Sequence, residues 1–191
     1  MAMSIGYVER HIRALILAKQ CVEFGARVRT ISFITGMSHA DLNELFYAGE
    51  FRRRRGRAPD ATDWLHRRAN IIVRAEASVF ASVFEKIFKA GFDPAETMVG
   101  AYRIYTGLCA QSPRISFDRA FDLACHLKGW WAHKQPSFAL YPCPACNSLY
   151  VAALGDQTTG RIGCIFCNLV SRYEREKRLQ NVFQVDGTPP D

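Results

Sequence analysis

The chain has 191 residues, 49% of them hydrophobic, so it can bury a substantial core and is not a disordered tail. Its formal net charge of +7 suits a polyanionic partner such as DNA, RNA or an anionic lipid surface. Because no apolar run approaches the roughly 20 residues of a membrane span, and the charged N-terminus lacks a signal-peptide pattern, we expect a cytoplasmic protein that contacts no membrane.

Three helices are predicted in the N-terminal quarter of the chain. The first spans Val8 to Val22, where apolar residues recur at near-helical spacing, and Gly25 ends it. A short second helix ends at Gly36, and Ser38 caps the third helix. The buried side of the third helix is predicted to consist of three apolar residues, Leu42, Leu45 and Phe46.

Residues 25–48 have the pattern of a helix-turn-helix, a motif whose second helix enters the major groove of DNA. Asn43 has the amide that pairs with an adenine edge, and arginines near the first of the two helices can hold phosphates. The DNA-binding residues predicted in this segment are Arg27, Arg29, Ser38, His39 and Asn43.

A dense run of arginines follows in residues 49–60, and glycine and proline close it off as a loop. Such a run is either a solvated charged loop or a contact surface for the phosphate backbone of a nucleic acid. Next to a helix-turn-helix in a basic chain, the run favours DNA. The phosphate-binding residues predicted here are Arg52, Arg53, Arg54, Arg55 and Arg57.

The region from residue 61 to about residue 133 is predicted to be helical. Thr62 or Asp63 can cap its first helix, and one continuous apolar stripe is predicted from Trp64 to Phe88. Ser116 caps the last helix of the region. The large apolar side chains at helical spacing are expected to form the core.

Two CxxC pairs near the C-terminus are separated by 17 residues. This spacing is typical of a four-cysteine zinc site, in which each pair supplies two thiolates to a tetrahedron. A disulfide framework is disfavoured in a reducing compartment, while an iron–sulfur cluster is a rival for the same ligands. Polar residues around the second pair favour zinc, and four protein ligands make one Zn²⁺ structural. The predicted ligands are Cys143, Cys146, Cys164 and Cys167.

The predicted fold is mainly α, with a multi-helix domain over residues 1–139 that contains the helix-turn-helix-like part. A small four-cysteine zinc module that contains a short β-hairpin follows at 140–180. It has β-like segments at 148–153 and 161–163 and then a charged helix. Residues 181–191 are predicted to be a flexible tail.

Several short segments occur in a specific order along the chain. They are Phe24–Arg27, the helix-turn-helix with Leu42 and Leu45, Thr62–Trp64, Ala101–Tyr105, Arg119 with Ala120, and the closing pair of CxxC motifs. Together they span roughly residues 4–178 and resemble the C subunit family of the bacterial flagellar master transcriptional activator. Each segment is weak alone, whereas their order and the terminal cysteines make the set fairly specific.

The resemblance implies a largely helical activator subunit with a C-terminal zinc module. It further implies assembly with a small helical D-type subunit, four D chains with two C chains, on double-stranded DNA upstream of flagellar operons, where the complex recruits RNA polymerase. By position, the four paired cysteines correspond to the zinc ligands, while Arg27 and residues 38–47 correspond to the helix-turn-helix-like part.

The residues also bear on two other classes of function. An enzyme is disfavoured because the sequence contains no GxGxxG, P-loop, GxSxG or HExxH motif. The alternative to a promoter-specific activator is an RNA-binding or protein-interaction zinc protein, since Tyr141, Tyr150 and Phe166 near the cysteines could stack on bases.

Overall fold

The computed structural model describes residues 6–48, 56–65, 69–109, 113–156 and 163–183, and these fold into nine helices and one β-hairpin. The N-terminal helices are α1 (Tyr7–Glu23), α2 (Val28–Thr35) and α3 (His39–Phe46). Next come α4 (Ala61–Trp64), α5 (Ile71–Lys89), α6 (Pro94–Leu108) and α7 (Phe117–Lys128). The C-terminal elements are β1 (Phe138–Pro142), β2 (Leu149–Ala153), α8 (Ile165–Tyr173) and α9 (Lys177–Phe183). The predicted fold class, mainly α with a short hairpin, is confirmed.

The turn between α2 and α3 forms as predicted. Gly36 ends α2 in the left-handed region at φ 71°, a conformation that favours glycine. The Ser38 hydroxyl then accepts the backbone N–H of Asp41 at 3.1 Å and caps α3. Leu42 is fully buried, but Leu45 is 56% exposed, so the prediction that both lie on the buried side is wrong for Leu45.

The apolar stripe predicted to be continuous from Trp64 to Phe88 is broken between α4 and α5. The Asn70 side chain starts a new helix there by accepting the N–H of Ile72 at 2.9 Å. A polar N-cap overrides the apolar spacing because it satisfies a backbone donor that the helix end leaves unpaired.

The predicted N-cap residue is wrong for α4 and right for α7. Asp60, instead of Thr62 or Asp63, caps α4, and its Oδ1 accepts the Thr62 N–H at 2.9 Å. At α7 the prediction is confirmed, since the Ser116 hydroxyl accepts the N–H of Arg119 at 3.4 Å.

The short hairpin that was predicted for the cysteine region includes one strand that the sequence did not indicate. β2 confirms the predicted strand at 148–153, but its antiparallel partner is β1, with Phe138 opposite Ala153 and Pro142 opposite Leu149. The short apolar run before the first cysteine pair is compatible with either a strand or a loop, so periodicity alone did not reveal β1. Of the segment 161–163, the structure describes Gly163 alone, which lies in a turn.

The hairpin and α8 dock directly on the first turns of α5. The backbone N–H of Val151 in β2 donates to the Ser78 hydroxyl at 3.1 Å. A shared apolar cluster forms there, with buried members Ile71, Ile72, Ala75, Cys143, Tyr150, Cys164, Ile165 and Leu179. The cysteine region is therefore packed onto the helical part and not merely tethered to it.

A buried carboxylate joins α5 to α6 and to the segment before α7. Glu76 accepts hydrogen bonds from the Tyr105 hydroxyl at 2.5 Å and from the Arg114 backbone N–H at 2.7 Å. The Arg114 guanidinium adds an ion pair at 3.0 Å. These contacts satisfy the buried charge that would otherwise be costly.

A second buried carboxylate joins the start of α2 to the first turn of α7. Asp118 accepts the backbone N–H of Arg27 at 3.0 Å, its guanidinium at 2.7 Å and the Thr30 hydroxyl at 2.7 Å. Its side chain is 1% exposed, whereas that of Arg27 is 21% exposed. Removing one partner of such a pair leaves the other charge buried and unpaired.

Asp118→Asn should lower the free energy of unfolding by about 3 kcal/mol, the lower end for breaking a buried pair, because Arg27 retains some contact with solvent. The matched variant Asp63→Asn, in an exposed pair 4.0 Å from Arg57, should change it by less than about 0.5 kcal/mol. Urea denaturation followed by circular dichroism measures both values. Equal losses would show that the Asp118 contacts contribute no more than a surface pair.

Candidate metal centre and nucleic-acid interface

Four cysteine thiols converge between the hairpin and the start of α8. Cys143 and Cys146 lie in the turn that joins β1 to β2, while Cys164 and Cys167 lie at the N-terminus of α8. All four Sγ atoms lie within 4.8 Å of one another, with Cys143 3.8 Å from Cys167 and Cys146 3.7 Å from Cys164. These distances match the edge, about 3.8 Å, of a sulfur tetrahedron around an ion at the zinc–sulfur distance of about 2.3 Å.

A tight turn and a helix N-terminus hold the four cysteine side chains so that their sulfurs converge. The turn closes when the Asn147 N–H donates to the Cys143 carbonyl at 2.8 Å, with Asn147 in the left-handed region at φ 59° that asparagine tolerates. Cys164 occupies the N-cap of α8 and Cys167 its first turn. Backbone N–H groups at a helix N-terminus favour negatively charged thiolates.

The electrostatics of the cluster favour a bound cation. Hydrogen bonds from Ser148 lower the pKa of Cys146 to about 6, so this thiol ionises near neutral pH. Hydrogen bonding with the Cys146 sulfur raises the pKa of Cys167 to about 12. Without a cation the four sulfurs therefore retain protons between them, whereas a bound metal ion would stabilise all four thiolates.

The remaining cysteines lie elsewhere and behave as small apolar side chains. Burial raises the pKa of Cys21 and of Cys125 to about 12. Cys109 is half-buried, and desolvation raises its pKa as well. Thiols of this kind are unreactive at neutral pH.

The residues of α3 that were predicted to read bases do not all face solvent. Ser38 and His39 are exposed at its N-terminus, but the Asn43 amide donates to the His39 carbonyl at 2.6 Å. The Asn43 Oδ1 is shielded from solvent and has no hydrogen-bond partner within the described part of the chain. The exposed side of α3 also carries Asp41 and Glu44, whose charges repel phosphates.

Arg27 is engaged inside the fold. Besides its pairing with Asp118, its guanidinium donates to the backbone carbonyl of Arg57 at 3.1 Å. The contact anchors the end of the predicted basic loop against the start of α2. Arg27 thus has a positioning role in the protein itself.

The cationic surface beside α2 has two other described members. Arg29 is exposed on α2, where its guanidinium lies 5.5 Å from the ring centre of Phe33. Arg57 is exposed at the end of the basic loop. Arg52, Arg53, Arg54 and Arg55 lie outside the described residues, directly before Gly56.

The aromatic side chains near the cysteines pack into the second apolar cluster. Tyr150 is 3% exposed, and Tyr141 and Phe166 are half-buried against it. The buried Tyr150 ring offers no free face for stacking on a base.

Sequence reasoning missed a second group of metal-ligating side chains. Ligand atoms of Asp122, His126 and His133 all lie within 4.8 Å of one another. The spacing of Asp122 and His126 on a helix places them on one face, which was the available signal. His133 joins them only through the tertiary fold.

The chain matches the model of a known protein family. The model of a family described as flagellar transcriptional activator (FlhC) matches residues 3–180. A comparison with curated proteins found no match. Within the described ranges, no helix combines the length and apolar character needed to cross a membrane.

In the metal-free chain at pH 7, iodoacetamide should modify Cys146 first, because its thiol is exposed and its pKa is about 6. Added Cd²⁺ should protect the four clustered cysteines. Half-buried Cys109 should react equally slowly with and without the ion, and therefore serves as the internal control. Peptide mapping by mass spectrometry measures each rate, and a Cys146 rate unaffected by Cd²⁺ would contradict a metal site here.

Proposed function

The chain belongs to the FlhC family of flagellar transcriptional activators, and on this premise we propose that it is the zinc-containing C-type subunit of a DNA-binding activator complex. The family match over residues 3–180 carries the proposal, since it includes both the helical part and the cysteine cluster. The family is one of transcriptional activators, which is not a class of enzyme. We place its action in the cytoplasm, at promoters of flagellar operons, together with a D-type subunit and RNA polymerase.

One Zn²⁺ is the ion we assign to the four cysteines. Sulfurs this close to one another suit a single tetrahedral ion, whereas the several irons of a polynuclear cluster would hold them farther apart. With four protein ligands the ion has no open coordination position, so its role is structural. Zinc would fasten the hairpin turn to α8 and thereby complete the apolar cluster on α5.

The DNA-binding surface that we propose is centred on the arginines beside α2. Arg29 and Arg57 are exposed to solvent, where phosphates can reach them, and the run 52–55 lies shortly before Arg57 in the chain. Arg27 would position this surface by anchoring the loop. Ser38 and His39, which are exposed at the start of α3, would reach base edges, and Asn43 would read a base after releasing the His39 carbonyl.

An apolar stripe on α1 is the surface we propose for the D-type subunit. Val8, Ile12 and Ile16 recur at a spacing of four and are 66%, 51% and 53% exposed. Ile12 and Ile16 also line a groove between α1 and α6. A helical partner that covers such a stripe would remove it from water, in accordance with a proposed complex of four D and two C chains.

Ile16→Glu should abolish co-purification with a co-expressed D-type subunit while leaving the fold intact, because the side chain is already half exposed. Val170→Glu, at a position on α8 that is 62% exposed, is the matched control and should retain the partner. Size-exclusion chromatography with light scattering measures complex formation. Retention of the partner by Ile16→Glu would place the interface elsewhere.

Promoter binding tests the proposed function directly. A duplex from upstream of a flagellar operon and a scrambled duplex are titrated across a salt series, with and without the D-type partner. We expect preference for the promoter duplex in the presence of the partner. Equal affinity for both duplexes would overturn the proposal and favour an RNA-binding or protein-interaction role.

Arg29→Gln and the combined replacement of residues 52–55 by glutamine should weaken binding to both duplexes. Each lost phosphate contact lowers the slope of log affinity against log salt concentration by about 0.9. Lys86→Gln, which removes an exposed cation from α5, should leave the slope unchanged. A slope that falls equally in all variants would show a general charge effect and no defined surface.

A further inference from the structure

Three metal-ligating side chains meet where α7 faces the connection to β1. Asp122 and His126 lie one turn apart on α7, and His133 comes from the connection. The Nε2 atoms of His133 and His126 lie 3.1 Å and 3.9 Å from the same oxygen of Asp122, Oδ1. We propose that Asp122, His126 and His133 form a second metal site, for a divalent first-row transition ion.

Two polar atoms of this group are buried and lack a partner. His126 Nε2 and Asp122 Oδ2 have no hydrogen-bond partner in the part of the chain that the structure describes. The two side chains are only 7% and 10% exposed. Because unpaired buried polar atoms are costly, their presence together points to a ligand that satisfies both. A metal ion between the nitrogen and the carboxylate does so.

A hydrogen bond on the far side of the His126 ring orients it toward the site. Its Nδ1 lies 2.5 Å from the Ser137 hydroxyl, and the Ser137 N–H donates to the His126 carbonyl at 2.9 Å. These contacts fix the ring and leave Nε2 aimed at Asp122. Metal-binding histidines are characteristically held through the other ring nitrogen in this way.

The backbone of the connection holds His133 against α7. Gly129 ends α7 at φ 68°, and an added Cβ there would lie 3.0 Å from the Pro136 side chain and 3.1 Å from its backbone nitrogen. The His133 N–H donates to the Trp130 carbonyl at 3.0 Å. A tight turn that requires glycine therefore brings this histidine back over the helix.

Asp60 is positioned to complete the ligand set. Its Oδ1 lies 3.9 Å from His126 Nε2, so a small shift would bring the carboxylate to an ion bound there. Two carboxylates balance the charge of a divalent ion. Imidazole and carboxylate ligands suit Zn²⁺, Co²⁺, Fe²⁺ or Ni²⁺, unlike the all-thiolate set of the cysteine cluster. Bound metal would tie the end of the basic loop to α7 and to the base of the hairpin.

Cobalt distinguishes the two sites. The full-length chain is loaded with Zn²⁺ at the cysteines and then titrated with Co²⁺. We expect one further equivalent, with weak visible bands from nitrogen and oxygen ligands and without the intense near-ultraviolet bands of cobalt–thiolate bonds. His133→Ala and Asp122→Asn should remove this equivalent and retain the zinc. His11→Ala, which removes an exposed histidine from α1, should bind as the unmodified chain does.

The variant Ser137→Ala distinguishes a loss of His126 orientation from a general loss of folding. It should weaken Co²⁺ binding by about 10–100-fold, because His126 loses its orienting contact, while the zinc content stays constant. The unmodified chain provides a test free of variants, since Co²⁺ should broaden or shift the ring resonances of His126 and His133 and leave those of His39 unchanged. Absence of a second equivalent, or its retention in both His133→Ala and Asp122→Asn, would overturn the site. None of these measurements depends on DNA binding.

Discussion

The packing of α5 is the constraint on which both ends of the molecule depend. Its first turns supply Ile71 and Ile72 to the apolar cluster around the cysteines, and its later turns bury Phe80 and Phe84 in the main core. Between them, Ser78 accepts a hydrogen bond from β2. Because α5 belongs to two cores, loss of the hairpin would uncover part of α5. A metal ion bound at the four cysteines would therefore stabilise the helical part as well.

One buried carboxylate, Asp118, sets the position of the cationic surface. Asp118 holds the guanidinium of Arg27, which in turn holds the backbone at Arg57, so the end of the basic loop is fixed against α2. Arg27, one of the arginines predicted to bind DNA, thus anchors the loop, while Arg29 and Arg57 remain exposed. A cationic surface that is already held in place would lose less conformational entropy on binding DNA, and its affinity would therefore be higher for the same number of charges.

Features encoded locally could be predicted from the sequence, whereas those requiring tertiary neighbours could not. Glycine at the end of α2, serine caps and paired cysteines each act within a few residues, and the structure has the expected helices, turn and cysteine cluster. The partner of β2, the exposure of Leu45 and the inward turn of the Asn43 amide depend on what packs nearby. His133 likewise meets α7 only because the chain folds back at Gly129.

The two proposed metal sites differ in a way that suggests different roles. Four thiolates surround an ion completely and bind soft or borderline metals tightly, so the cysteine site suits a permanent structural ion. The proposed site at Asp122 brings three candidate ligands together, and Asp60, which also caps α4, lies next to them. An ion held there would be more easily exchanged. Its binding would involve the Asp60 carboxylate, which also caps α4. Occupancy would then alter Asp60, where the basic loop meets α4, and would thereby connect the second site to the proposed DNA surface.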